Sequence, residues 1–408
     1  MMNNRAAALL ALVFLTALSL RFYDCMNPAY PHIDEALIGQ AAVNYWHNGQ
    51  FEPAHWEHPP LKQIIPYISL HFFGDNPYGW RVPTIFFGSI IAALTFLFAL
   101  GTSGSQRTAL FAGMLIATDP LHIMLSRHAF EEIYCSTFFL AAVVLLVWHK
   151  QRSSWLMLSA FCVGCAMATK WYYFPAWFLL ILFALYENKN YRSPGSVIFI
   201  SSAYLFIPLS VYTLVFYNWF GRGYTFTDFI EFVSNVFTSM QQYTLDNYQT
   251  GLVFISHLSA GEWFTSSIVV GDGHYFGNGT GQFILAGNNL PVWILTIPSI
   301  IVLLVIAARR KSLTLALPSL FFCGTYMMYL FVKRPAFLYS AAPLLPYAFA
   351  AIAYTVSHCA ERYGIRFYYA ALALTLTWNI YLYPLATHKT VNVTPYRFIL
   401  KSKDIIIR

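Results

Sequence analysis

Charge is scarce in this chain. Asp, Glu, Lys and Arg make up 10% of its 408 residues, against roughly 25% in a soluble domain. With 58% hydrophobic residues and a mean hydropathy of +0.53, water is not its main solvent. Intrinsic disorder and a cytosolic nucleic-acid binder are excluded, since the first needs high net charge with few apolar residues and the second a clustered basic surface. Cysteine is scarce too. Of six, Cys135, Cys162, Cys165, Cys323 and Cys359 lie in or beside apolar stretches, where a free thiol behaves as a small hydrophobe, so a secreted disulfide scaffold is excluded. Cys162 and Cys165 have CxxC spacing, but no second pair accompanies them and packing is the expected role. The chain also lacks low-complexity tracts, internal repeats and a DxD-type ligand pair, and no metal site is expected.

What it has is a series of long apolar runs separated by short charged turns. Only helices or closed barrels satisfy their backbone in lipid, and runs of this length predict helices. The expected fold is an all-α polytopic membrane protein of about eleven transmembrane helices, over 6–22, 82–101, 108–126, 133–148, 154–169, 171–187, 196–217, 289–308, 312–332, 337–357 and 367–386. The first run has no small-residue cleavage site before Arg21 and Phe22 and reads as a retained anchor. The whole of 1–408 reads as one integral membrane domain.

Basic residues sort strongly to one side of these spans. The side of the N-terminus has eleven basic and two acidic residues, the opposite loops eight basic and fourteen acidic. The positive-inside rule makes the first side cytoplasmic. Eleven spans then leave the basic tail after 387 outside, against the rule, so either a span is miscounted or the tail packs on the outer surface. Two outer segments are long enough to carry function, 23–81 and 218–288. The first contains two amphipathic patterns: Leu37, Ile38, Ala41, Ala42, Tyr45 and Trp46 within 34–47, and Leu61, Ile64, Ile65, Ile68 and Phe72 after Pro59-Pro60. Both are expected as interfacial helices with their polar face toward water.

Apart from Asp119, the span interiors hold no Asp, Glu, Lys or Arg. A coupled transporter normally needs ionisable groups near the midplane. Here the charges gather at the outer span ends, which points to chemistry at the outer membrane surface on a lipid-borne substrate. Asp34-Glu35 either complements a helix dipole or supplies a general base for an acceptor hydroxyl. His58-Pro59-Pro60-Leu61-Lys62 is either a proline-initiated helix with a solvated lysine or an imidazole and ammonium placed for a phosphate. Arg127 and Glu132, five apart, are not at salt-bridge spacing and should each have a separate partner. Lys170-Trp171 and Lys333-Arg334 read as snorkelling anchors or as further site cations.

Several strings together resemble the protein O-mannosyltransferases and their bacterial relatives, membrane glycosyltransferases of the C-type fold. Asp34-Glu35, His58–Leu61 and Gly79-Trp80-Arg81 follow in the order of that family's first outer loop, and "SRHAFEEIYCSTFF", "ATKWYYFPA", "HLSAGEWFTSSIVV", "LAGNNLPVWIL" and "KRPAFLYSAAPLLPYAF" resemble its later motifs. Lys62-Gln63 stands where the family usually has Gly-Lys, and Ser340 where it usually has histidine. The 218–288 segment is too short for a lumenal β-trefoil insert, which points to a compact bacterial member in the inner membrane, with its site on the periplasmic face.

The resemblance implies inverting transfer of a hexose, typically mannose, from a polyprenyl-phosphate donor to an acceptor hydroxyl on protein, glycan or lipid, with no cofactor and no nucleic-acid partner. In that scheme Asp34 is the base and Glu35 orients the acceptor or sugar. Arg127, with His58, Lys62 or Arg334, holds the phosphate; Lys170 belongs to the same donor set, Tyr339 donates a hydrogen bond, and Glu132 holds Arg127 or the sugar hydroxyls. The rival readings are transfer of another lipid-linked sugar, such as aminoarabinose to lipid A, and a lipid-linked-sugar flippase.

Overall fold

The computed structural model describes residues 3–32, 35, 41–44, 58–148, 152–187, 193–242, 263–264, 269–276, 278–287, 289–331 and 337–401. Its helices are α1 (Asn4–Phe22), α2 (Leu61–Phe73), α3 (Pro77–Ser103), α4 (Gln106–Thr118), α5 (Pro120–Arg127), α6 (Glu131–Trp148), α7 (Ser153–Met167), α8 (Phe174–Glu187), α9 (Pro194–Leu214), α10 (Tyr217–Gly221), α11 (Phe226–Gln242), α12 (Leu290–Trp293), α13 (Thr296–Arg309), α14 (Leu313–Tyr326), α15 (Met328–Phe331), α16 (Leu345–Tyr363), α17 (Ile365–Ala386) and α18 (Arg397–Lys401). Tight 3-10 turns at Trp171–Tyr173 and Leu338–Leu344 lead into α8 and α16.

Each of the eleven expected spans coincides with a helix or a broken pair of helices. Among the described residues six helical segments are long and apolar enough to cross a membrane, seven if the bent α4–α5 pair is one span, and three further apolar helices are shorter. The tyrosines, Trp378 and Asn379 of α17 leave it outside that group. The core runs through α1, α3, α4, α6, α7, α8, α13, α14 and α16, with α6 and the Leu338–Tyr363 segment deepest and α1 and α9 at the periphery.

The third expected span is broken at Asp119-Pro120, where its two halves meet at 54°. Proline cannot donate a backbone hydrogen bond, so the last carbonyls of α4 lose their helical partners. Arg21 supplies them: its Nη atoms donate to Ile116 O (3.0 Å) and Ala117 O (2.9 Å), and its Nε to Ser126 Oγ (3.2 Å). Asp119 caps α5 by accepting from the His122 amide at 3.0 Å, and its other oxygen accepts from Asn289 Nδ2 (2.7 Å) and Trp293 Nε1 (3.1 Å). The one charge inside an expected span is therefore the cap of a break.

The expected helix over 34–47 lies outside the described residues except for Glu35 and 41–44, where Ala42 and Val43 pack on Leu70 and Trp80. The second interfacial helix is present as α2, but its faces are reversed. Lys62, Gln63, Ser69 and Leu70 are buried while Ile68 (52% exposed) and Phe72 (78% exposed) point away from the protein. Lys62 finds Glu131 at 2.6 Å in the protein, and burial of this stripe replaces the water contact that amphipathicity alone implied.

An antiparallel three-stranded sheet, unexpected from the sequence, joins β1 (Val269–Tyr275), β2 (Thr280–Gly287) and β3 (Thr390–Asn392). It ties the tail to the 218–288 segment, and Val393, Tyr396, Ile399 and Leu400 of the tail pack with Phe283, Leu285, Leu382 and Leu385. The tail thus lies on the same side as that segment, as an odd number of spans requires.

Candidate active site

The helix ends beside residues 23–32 and 58–81 carry five cations, Arg21, Lys62, Arg81, Arg127 and Lys170, each exposed by 5% or less. Local sequence puts them there. Asn76 caps α3 by accepting from the Tyr78 amide at 2.9 Å, with Pro77 at the first helical position. A Cβ on Gly79 would lie 2.1 Å from Gly74 O, so only glycine permits this turn. Trp80 Nε1 donates to Asp75 Oδ1 at 2.9 Å, and the first turn of α3 delivers Arg81 beneath the loop that precedes Glu35.

Arg81 forms a two-point pair with Glu35, Nε to Oε1 and Nη2 to Oε2, both at 2.9 Å, with neither side chain exposed. Its remaining donors reach Cys25 O (2.8 Å), Pro28 O (2.7 Å) and Tyr30 O (3.1 Å). Glu35 Oε2 also accepts from the His32 amide at 3.2 Å. Burial pushes the Glu35 carboxyl up from its ordinary value, and the Arg81 hydrogen bonds and charge pull it back. Glu35 and Arg81 thereby tie residues 25–32 to α3.

A short turn from α5 into α6, with Ala129 in the left-handed region (φ 51°), sends four side chains to different places. Arg127 reaches the end of α1, donating to the carbonyls of Arg21 (3.0 Å), Tyr23 and Asp24 (2.8 Å). His128 faces Glu35, its Nδ1 4.0 Å from Oε2. Glu131 receives three groups: Lys170 Nζ at 2.7 Å, Lys62 Nζ at 2.6 Å and His58 Nε2 at 3.3 Å. Glu132 accepts from the same Lys170 ammonium at 2.6 Å and from Tyr172 Oη at 3.2 Å. Tyr172 and Ser340 hydroxyls meet at 2.9 Å, Tyr329 Oη donates to Ser340 O at 2.6 Å, and Lys170 sits over the Tyr172 and Tyr339 rings at 4.7 and 5.6 Å.

The structure thus brings His58, Lys62, Glu132, Lys170 and Tyr339 into one cluster and places Glu35 and Arg127 beside it. Asp34 and Arg334 lie outside the described residues. One expectation is corrected: Glu132 is held by Lys170, not Arg127, because the turn points the two side chains apart. Of the two readings of Lys170, anchor or site cation, its burial between two carboxylates favours the second. Sequence reasoning passed over Glu131, His128, Tyr172 and Ser340 as site residues. For Glu131 a signal existed, since the second of two adjacent carboxylates at a helix start had already been singled out.

The electrostatics divide the cations. Lys62 and Lys170 are matched by Glu131 and Glu132, and Arg81 by Glu35. Among the described residues Arg127 pairs with no carboxylate, and its Nε–H lacks a hydrogen-bond partner. Carbonyls orient a guanidinium without neutralising it, so Arg127 keeps charge to offer an anion. No group of three metal-ligating side chains occurs among the described residues.

A family model described as dolichyl-phosphate-mannose-protein mannosyltransferase matches residues 11–221. A polyprenol-phosphate-mannose–protein mannosyltransferase of Mycolicibacterium smegmatis is 29% identical over 171 residues, covering 40% of this chain and 33% of that protein. Protein O-mannosyl-transferase 2 of Danio rerio is 25% identical over 199 residues, 43% of this chain and 26% of that protein. The matched stretches span a third or less of these relatives' length. Among solved structures, ArnT from Cupriavidus metallidurans bound to undecaprenyl phosphate superposes with a TM-score of 0.55 at 15% identity, over 86% of this chain and 59% of that one. The archaeal oligosaccharyltransferase AglB from Archaeoglobus fulgidus gives 0.58 at 12% identity, over 95% and 56%. At such identities the likeness is one of fold, the C-type membrane glycosyltransferase fold. With more than half of its length matched by the family model, and the Asp-Glu, His-Pro-Pro-Leu and Gly-Trp-Arg blocks in order within that stretch, the chain belongs to the dolichyl-phosphate-mannose-protein mannosyltransferase family.

Proposed function

We propose that the protein transfers a hexose, mannose in the first instance, from a polyprenyl monophosphate to an acceptor hydroxyl, with a protein Ser or Thr as acceptor, and with inversion at the anomeric carbon. The site would face the periplasm from a bacterial inner membrane, which the sorting of basic residues supports. The observation that carries the reading is Arg127, a buried cation that meets no carboxylate among the described residues and sits against the start of the loop that leads to Asp34-Glu35.

The chemistry needs little more. A phosphate leaving group is stable as an anion at neutral pH, so one base suffices, and the remaining work is stabilising charge. Asp34 takes the proton of the acceptor hydroxyl as its oxygen attacks the anomeric carbon; the C–O bond to phosphate breaks and Arg127 receives the growing negative charge. Glu35, locked by Arg81, holds the loop that carries Asp34 in register. Lys62, Lys170, Glu131 and Glu132 fix the ends of α2, α6 and the turns at 171 and 338 around the donor.

The test is transfer of radiolabelled mannose from polyprenyl-phosphate-mannose by purified protein, with membranes of the native host as acceptor source. Wild type should label an acceptor, and Asp34→Asn should lower the rate at least ~10²-fold. Arg127→Met should lower it by about 30- to 1,000-fold, the equivalent of ~2–4 kcal/mol. Chelation of divalent cations should leave the rate unchanged. Near-normal turnover by Asp34→Asn would remove it as the base, and label from an aminoarabinosyl donor but not the mannosyl one would replace the substrate assignment.

A further inference from the structure

Beside Glu35 lie three buried polar atoms whose chemistry the reading above does not use. His128 is 1% exposed, and neither of its ring nitrogens has a hydrogen-bond partner among the described residues. Tyr134, on α6, is fully buried with its hydroxyl likewise unpartnered. A buried polar atom left without a partner costs ~1–3 kcal/mol, and native proteins keep few of them. His128 Nδ1 is 4.0 Å from Glu35 Oε2, and Tyr134 follows it across the turn, in the first turn of α6.

The groups around His128 decide what fits there. Arg81 faces it from α3, Arg127 adjoins it, His32 and Glu35 approach from the first loop, and His388 from the tail. Burial first, then the two guanidinium charges, hold the imidazole well below its ordinary pKa, so it is neutral. A neutral imidazole offers one N–H donor and one acceptor nitrogen, and a phenol offers both functions. A phosphate has only acceptors and an ammonium only donors, so either leaves half of this set unmet. Sugar hydroxyls donate and accept. A file of rings leads inward to the niche: Tyr30 (48% exposed), then His32 at 6.1 Å, then His128 at a further 6.1 Å.

We propose that His128 and Tyr134 form a subsite for hydroxyl groups of the hexose on the lipid donor; this rests on the glycosyl-transfer reading and names the part of the donor recognised there. The test compares the affinity of nanodisc-embedded protein for polyprenyl-phosphate-mannose and for bare polyprenyl phosphate, in wild type, His128→Ala and Tyr134→Phe, alongside transfer assays. Wild type should prefer the mannosylated lipid. Each variant should lose about ten-fold or more of that preference while binding the bare lipid as before. One singly deoxygenated mannosyl lipid should bind wild type as weakly as the mannosyl lipid binds the variant. Tyr134→Phe removes a single oxygen and carries the test if His128→Ala fails to fold. Unchanged preference in Tyr134→Phe, or an equal loss of affinity for both lipids, overturns the subsite while leaving mannosyl transfer standing if wild type still transfers. A preference that the variants abolish, in a wild type that transfers nothing, keeps the subsite and removes the transfer reading. No preference and no transfer in wild type removes both.

Discussion

The arginines and the lysines at this end of the bundle are both buried, yet they are used differently. Arg21, Arg81 and Arg127 spend most of their donors on backbone carbonyls: at the break between α4 and α5, along the 25–30 loop, and at the end of α1. Lys62 and Lys170 are paired instead with carboxylates on the first turn of α6, Lys170 lying over two tyrosine rings as well. A guanidinium has five donors in a rigid fork and remains charged after binding carbonyls, whereas an ammonium is a compact point charge that burial penalises unless an anion neutralises it. Arginine is therefore the residue that fastens irregular backbone at membrane depth, and lysine the one that needs Glu131 and Glu132.

That contrast is open to attack in order of expected effect. Arg81→Ala leaves Glu35 buried and unpaired and should cost ~3–5 kcal/mol, read as a large fall in thermal unfolding temperature of the detergent-solubilised protein. Arg81→Lys should fare little better, since one ammonium cannot span Glu35 and the carbonyls of Cys25, Pro28 and Tyr30; wild-type stability in that variant would show that only the charge matters. For the lysines, Lys62→Met and Glu131→Gln should each destabilise, and the double variant should recover part of the loss, with a coupling of ~0.5–3 kcal/mol in the double-mutant cycle. Additive losses would mean the 2.6 Å contact carries no net interaction.

Gly88→Ala attacks the arginine layer through packing. Its Cβ would lie 2.2 Å from Ser126 Oγ, the hydroxyl that accepts from Arg21 Nε, and should cost ~1–3 kcal/mol. The smallest effect belongs to a control outside both groups. Asp228 accepts from the Thr225 hydroxyl (2.7 Å) and amide (2.6 Å) at the start of α11, and these bonds hold its carboxyl below the ordinary value. A depressed carboxyl stabilises the fold above its unfolded pKa, near ~3.9, and the contribution is lost as pH falls through the folded value. Thr225→Ala removes the hydroxyl bond and keeps the amide bond, so it should lower stability slightly at pH 7, leave it nearly unchanged at acid pH, and thereby weaken the acid dependence of unfolding.

Much of this was legible before any coordinates. Apolar run length located every expected span but not α11, which lies in the 218–288 segment, and ordered blocks located the family, because lipid leaves the backbone few options and the blocks reflect turns that admit few residue types, as Gly79 under the Gly74 carbonyl does. The candidate site was legible in part. His58, Lys62, Glu132, Lys170 and Tyr339 do converge, but the pairing of Glu132 with Lys170 and the central place of Glu131 depend on the turn at Ala129, and no spacing rule spans 38 residues between Glu132 and Lys170. The β-sheet went unseen because β3 is three residues long and acquires its meaning only beside β2.

The sequence by itself determined the solvent, the places of the apolar spans and the family, since these follow from composition, run length and local turn chemistry. The tertiary structure alone decided which way α2 faces and which of the buried cations meet a carboxylate among the described residues. Those outcomes depend on which groups meet after the helices pack, where a difference of a few ångströms separates a buried ion pair from an uncompensated charge.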